Sequence, residues 1–196
     1  MLFKWVCTLI FKAMGWKFKN NIPDDLRSFV FIGAPHTSNS DFIMAMAVTY
    51  LMKRNARFVI KNEWMKFPLS IFFKSVGAIG VDRNVAKESK TVSHTDVIAK
   101  LFQDHTDLVL IIAPEGTRSP NKKWRTGFYY IAQKANVPIV CGYADYKTKV
   151  AGMGLVIHPK DFEKDMFLIM DFYKDMEGKV NENFQLDERY LPSKQR

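Results

Sequence analysis

Asp107-Leu-Val-Leu-Ile-Ile-Ala113 runs without a break into Pro114-Glu-Gly-Thr-Arg-Ser119. The first half is a short, continuous apolar run rich in Leu, Val and Ile, the pattern of a strand buried on both faces of a sheet. The second half puts a carboxylate, a glycine, a hydroxyl and a guanidinium directly beyond the strand's end. Gly116 permits a tight turn with exposed backbone amides. Arg118 can hold a phosphate through paired hydrogen bonds, and Thr117 can add a hydroxyl donor. Glu115 can accept from substrate hydroxyls. A plain surface turn with a Glu–Arg pair would read the same way and be worth little energetically.

Upstream, Ser28–Ala34 (SFVFIGA) is a second β-rich run, ending in Gly-Ala-Pro, so a strand leads into a loop. That loop is Pro35-His-Thr-Ser-Asn-Ser-Asp41. The apolar stretch Phe42–Met52 follows and is long enough for a buried helix, with Ser38, Asn39 or Ser40 available to cap it. His36 and Asp41 are close enough in the chain for a turn to join them. An imidazole with one nitrogen bonded to a carboxylate and the other free is a good base near neutral pH. Asp41 would fix the tautomer of His36 and stabilise the imidazolium that forms. A substrate hydroxyl could then be the nucleophile, and the two strings together suggest transfer of an acyl group onto it. On its own, the pair reads more readily as a loop histidine and a helix cap.

The remaining segments alternate. Arg57–Ile60 reads as a strand, Pro68–Val76 as a helix opened by its proline, and Ala78–Val81 as a strand that delivers Arg83 to a loop. Lys87–Gln103 has a helical period. Gly127–Ala135 reads as a helix, Val137–Ala144 as a strand, Tyr146–His158 as one or two more strands, and Lys160–Asp175 as a late helix before a polar tail. This predicts a single α/β layered domain, residues 21–196, with a largely parallel central sheet flanked by helices. In such sheets ligands gather at the carboxyl ends of the strands. His36, Arg83 and Glu115–Arg118 each follow a predicted strand, so three loops converge if those strands are neighbours.

The balance of 29 Lys and Arg against 20 Asp and Glu gives a net charge of +9, which favours anionic partners. No Cys/His finger, RNP-type aromatic string or Arg-rich run is visible, so nucleic acid is not among the expected partners. The two cysteines, Cys7 and Cys141, have no metal-type spacing and fit a reducing compartment. Residues 1–20 form the other segment. Their apolar run is too short to span a bilayer. Leu2, Phe3, Val6, Leu9, Ile10 and Ala13 share one broad helical face, with lysines and Trp16 at its margins. The expectation is an amphipathic helix lying in an anionic membrane surface; a helix packed on the domain is the competing reading.

With these residues in view, the chain resembles the glycerolipid acyltransferase family of the 1-acylglycerol-3-phosphate type. His36 to Asp41 matches that family's His-x4-Asp block. Gly77 to Arg83 matches its glycine-led strand ending in arginine, and Glu115 to Ser119 is its Glu-Gly-Thr-Arg-Ser without change. Val137-Pro-Ile-Val140 matches the start of its fourth block. The resemblance implies His36 as base with Asp41 as partner. It implies Arg83, Glu115, Gly116 and Arg118 as acceptor-binding residues, acyl-CoA or acyl-carrier protein as donor, and neither metal nor cofactor. It also implies residence on the membrane, at its cytoplasmic face, with a lysophospholipid, by default 1-acylglycerol-3-phosphate, as acceptor. Three departures stand out. Pro35 replaces the usual Asn, Cys141 stands where the fourth block ends in Pro, and Arg125-Thr-Gly127 replaces a Lys-x-Gly element. They leave other lipid acceptors open, an aminoacyl lipid or a glycolipid. A thioesterase or lipase is a further alternative, although no Gly-x-Ser-x-Gly elbow is present.

Overall fold

The structure, a computed structural model, describes residues 2–81 and 93–191. A seven-stranded sheet crosses the molecule. Its strands are β1 (Lys17–Asn20), β2 (Phe29–Ala34), β3 (Asn55–Lys61), β4 (Ala78–Val81), β5 (Leu108–Ile112), β6 (Ile139–Asp145) and β7 (Val150–Ile157), in the order β1-β7-β6-β2-β5-β3-β4. All neighbours are parallel except the β6–β7 hairpin. The α/β layered domain with a largely parallel sheet is therefore as expected. The two sequence runs that pointed to it, β5 and β2, lie side by side at the centre.

Central strands bury both faces, and alternate residues serve different layers. Phe29 and Phe31 of β2 join one core with α1 (Leu2–Ala13) and α2 (Asp41–Leu51), through Phe11, Met44, Ala47 and Val48. Val30 and Ile32 join the other core with α6 (Gly127–Ala135) and α7 (Phe162–Tyr173), through Phe128, Ala132, Met166 and Ile169. The intervening helices are α3 (Leu69–Val76), α4 (His94–Ala99) and α5 (Leu101–Asp104). The helix expected over Lys87–Gln103 is thus two short pieces where it is described. Ser93 starts α4 with a capping box to Asp96, which explains the start.

Three segments depart from expectation. The N-terminal helix stops at Ala13. The chain turns at Gly15 (φ 79°), and Lys17–Asn20 pairs in parallel with β7 as an edge strand. Trp16, expected at a membrane margin, is only 5% exposed and packs edge-to-face on Tyr146, ring centroids 4.8 Å apart. The polar tail after α7 folds back instead of trailing off. Asp187 is fully buried and accepts from the Trp124 backbone N–H (2.8 Å), while the Arg189 guanidinium pairs with the same carboxylate (2.6 Å). Farther back, the Val180 N–H donates to Thr37 Oγ1 at 3.2 Å.

β1 comes so close to β7 that a Cβ at Gly152 would overlap the Lys19 carbonyl. Gly152→Ala should therefore destabilise the fold by about 2 kcal/mol or more, because backbone must move. Gly127→Ala, whose added methyl meets nothing nearer than 3.9 Å, should be neutral. Urea denaturation of the two variants checks the contrast.

Candidate active site

β2 and β5 are hydrogen-bonded neighbours running the same way. The loops after them therefore leave from one edge of the sheet, as expected. Pro35 and His36 follow β2; Pro114–Ser119 follow β5. Arg83, after β4, lies outside the described residues, so the third loop is not placed.

A hydrogen bond joins the two loops. The His36 backbone N–H donates to Glu115 Oε1 at 2.6 Å. Glu115 is 2% exposed, so the carboxylate expected to receive substrate hydroxyls braces the histidine loop from within. Its own backbone carbonyl accepts from Asn121 Nδ2 at 2.8 Å, which fixes the turn from the other side. The rest of that turn is exposed: Gly116, Thr117 and Arg118. Gly116 sits at φ 69°, and a Cβ there would come within 2.7 Å of the Arg125 side chain. Arg125 also donates its backbone N–H to the Pro114 carbonyl (2.8 Å). The Arg125-Thr-Gly127 departure thus closes the turn from behind.

Asp41 is the first residue of α2 and is buried. Its Oδ2 accepts from the backbone N–H groups of Thr37 (2.7 Å) and Ser38 (2.8 Å) and lies 3.5 Å from His36 Nδ1. Its Oδ1 accepts from the Tyr146 hydroxyl at 2.9 Å. Ser40, at the N-cap position, makes no side-chain cap hydrogen bond. The carboxylate reaches back and closes the loop, a local side-chain-to-backbone arrangement that suits a negative charge at a helix N-terminus. Burial pushes the Asp41 carboxyl up, but the hydrogen bonds from His36, Ser38, Tyr146 and Thr37 outweigh it and hold it below the usual range. Asp41 is therefore charged at neutral pH. With Nδ1 turned to Asp41, His36 leaves Nε2 free of this pairing.

His36 and Arg118 line the same cavity, of about 320 Å³. The cavity runs from these two polar groups into the space between α2 and the sheet, and its deeper wall is apolar: Phe31, Met44, Val48, Phe58 and Ile111. Pro35 and Asp41 line it as well. Tyr146 and the Thr37–Val180 contact were not singled out by the sequence reading. Both are long-range partners of the histidine loop and carry no local pattern. Cys141 is fully buried and its thiol is pushed up by burial, so it is no nucleophile. Among the described residues no three of His, Cys, Asp and Glu come together as metal ligands would.

Burial, with a smaller contribution from the nearby Asp41 charge, pushes the Glu115 carboxyl up to about 8, although the His36 N–H pulls the other way. The fold thus prefers the protonated acid. That preference is fully present below about pH 4.5, the carboxyl's ordinary value, and is lost as pH rises through about 8. Glu115→Gln keeps an acceptor for the His36 N–H without a charge. Its melting temperature should fall less than the wild type's between pH 5 and 8. Parallel thermal melts across that range check this.

A family model described as Acyltransferase matches residues 17–143, well over half of the chain. Comparison with curated proteins and with solved structures gave no match. The matched span runs from β1 into β6. It takes in the histidine loop, the Glu-Gly-Thr-Arg-Ser turn and every strand that carries them, so the chain belongs to the Acyltransferase family.

Proposed function

We propose that the protein is an O-acyltransferase. It moves a fatty acyl group from a thioester donor, acyl-CoA or acyl-carrier protein, to the free hydroxyl of a lysophospholipid, 1-acylglycerol-3-phosphate. The observation that carries this reading is the cavity shared by His36 and Arg118, polar at these residues and apolar in depth. Its volume falls in the range of small-ligand sites, and its lining suits an acyl chain beside a reacting carbonyl.

In this mechanism the acceptor hydroxyl attacks the thioester carbonyl while His36 Nε2 takes its proton. Asp41, charged and held on four sides, stabilises the imidazolium. The tetrahedral intermediate expels the thiolate, which recovers the proton from His36. A thiolate is a good leaving group, so no enzyme-bound acyl group is needed. Arg118, exposed beside the cavity, binds the acceptor's phosphate, and Thr117 and the Gly116 turn add donors. Arg83 serves as a further phosphate ligand. Glu115 contributes by holding the loop.

The membrane supplies the acceptor, and two exposed apolar elements support docking there. Leu2, Phe3, Val6, Leu9 and Ile10 of α1 face outward, while Cys7, Thr8 and Phe11 face the domain. Phe67, Leu69, Ile71 and Phe72, on and before α3, are also exposed. Phe3 joins the two, in ring contact with Phe72 (5.6 Å) and Phe42 (6.1 Å). Phe42 in turn lines the cavity. Lys12, Lys66 and Lys74 are exposed on the same segments and suit anionic lipid. Among the described residues no helix is long and apolar enough to cross a membrane; the attachment in this reading is peripheral or monotopic. Both cysteines are unpaired and buried, which supports the cytoplasmic face.

Two experiments test the reading. Lysophosphatidate and acyl-CoA, with product lipid read by mass spectrometry, should give phosphatidate. His36→Ala should lose about 100-fold or more in kcat with an unchanged circular dichroism spectrum. Arg118→Ala should mainly raise the acceptor KM, by about 10-fold. Turnover retained by His36→Ala, or thioester hydrolysis that ignores the acceptor, would reject it. In flotation with phosphatidylglycerol vesicles, Leu9→Ser with Ile71→Ser should reduce binding at least several-fold, and unchanged flotation would remove the docking role.

A further inference from the structure

We propose that Tyr146 is a positioning residue for this site, fixing the rotation of the Asp41 carboxylate against His36. The proposal rests on His36 and Asp41 acting as base and partner. Asp41 divides its contacts between its two oxygens. Oδ2 takes the Thr37 and Ser38 backbone N–H groups and faces His36 Nδ1; Oδ1 is held by the Tyr146 hydroxyl at 2.9 Å. A carboxylate gripped at one oxygen alone can turn about its last bond. Gripped at both, it presents a fixed edge to the imidazole.

Tyr146 is itself rigidly mounted. Its backbone N–H donates to the Glu177 carbonyl (2.9 Å). The preceding residue, Asp145, accepts from the Lys147 and Glu177 N–H groups (3.2 and 3.1 Å) and from the Thr148 hydroxyl. The Tyr146 ring stands edge-on to buried Trp16, and Trp16 packs on Phe11 of α1, ring centroids 5.7 Å apart. The phenol is thus placed by β6, by the segment after α7 and by the turn after α1. Burial and the Asp41 charge keep it a neutral donor, with its pKa pushed up to about 12. Tyr146 lies just beyond the residues that match the family model.

Tyr146→Phe removes one oxygen and keeps the ring on Trp16. It should lower kcat about 10-fold while leaving both KM values and the melting temperature near those of the wild type, the signature of a misaligned catalytic group. The downfield proton resonance of the His36 Nδ1–H, assigned by its loss in His36→Ala, should broaden or move upfield in Tyr146→Phe. Trp16→Ala, which keeps the hydroxyl but removes its backing, should show a smaller loss in kcat, and Trp16→Phe should restore most of it. Wild-type kcat and an unmoved resonance in Tyr146→Phe would overturn the proposal, as would a raised KM at unchanged kcat, which would mean the phenol touches substrate. If His36→Ala remains active, the acyltransfer reading itself fails; if His36→Ala is dead and Tyr146→Phe is fully active, the positioning role alone fails.

Discussion

A buried charge organises this molecule. The Asp41 carboxylate is taken out of water at the start of α2, a transfer that costs several kcal/mol unless the charge is met by donors. Two backbone N–H groups, a phenol and an imidazole meet it, and the helix N-terminus adds a favourable dipole. Satisfying that charge dictates the shape of residues 35–40. The loop must curl back over the first turn of α2, and in doing so it carries His36 to the cavity. It also sets where α2 begins, and so the roof of the apolar space beneath it. Loop, helix and pocket are consequences of one electrostatic requirement.

The two faces of the sheet answer different needs. The α6–α7 face is filled by large rings and by Tyr173, whose hydroxyl bridges the Ile32 and Gly142 carbonyls of adjacent strands. The α1–α2 face is richer in methionine, with Met44, Met46, Met52 and Met153, and it holds the cavity. Met44 and Met46 line that cavity, and their unbranched side chains make its wall adaptable. Gly142 links the faces: it has no side chain because the Phe31 ring lies across it, and that ring also lines the cavity.

What the sequence made legible was what it encodes locally. The Leu108–Ile112 and Phe29–Ala34 runs are continuous and apolar because their strands are central, and both were readable. His36, Asp41 and Glu115–Arg118 stood out because each string follows a strand and carries its chemistry within a few residues. The edge strand Lys17–Asn20 was hidden, since a strand exposed to solvent on one side needs no apolar run. Trp16 looked like an interfacial residue because its burial depends on Tyr146, far along the chain. The partner of Glu115 is a backbone N–H, which no side-chain pattern announces. Tyr146 and the segment from Glu177 to Asp187 act through scattered long-range hydrogen bonds, and polar composition alone reads as tail.

The dependence of the histidine loop on its most distant neighbours has a temporal side. Residues 36–41 emerge early in synthesis, but Tyr146 and Val180, which steady them, are made much later, and such remote contacts form slowly because long stretches of chain must first be gathered. A nascent polypeptide already holding β2 and α2 would carry His36 and Asp41 and still lack the distant contacts that steady them. The histidine loop is therefore steadied only after residues 146 and 180 have been made and have docked against it.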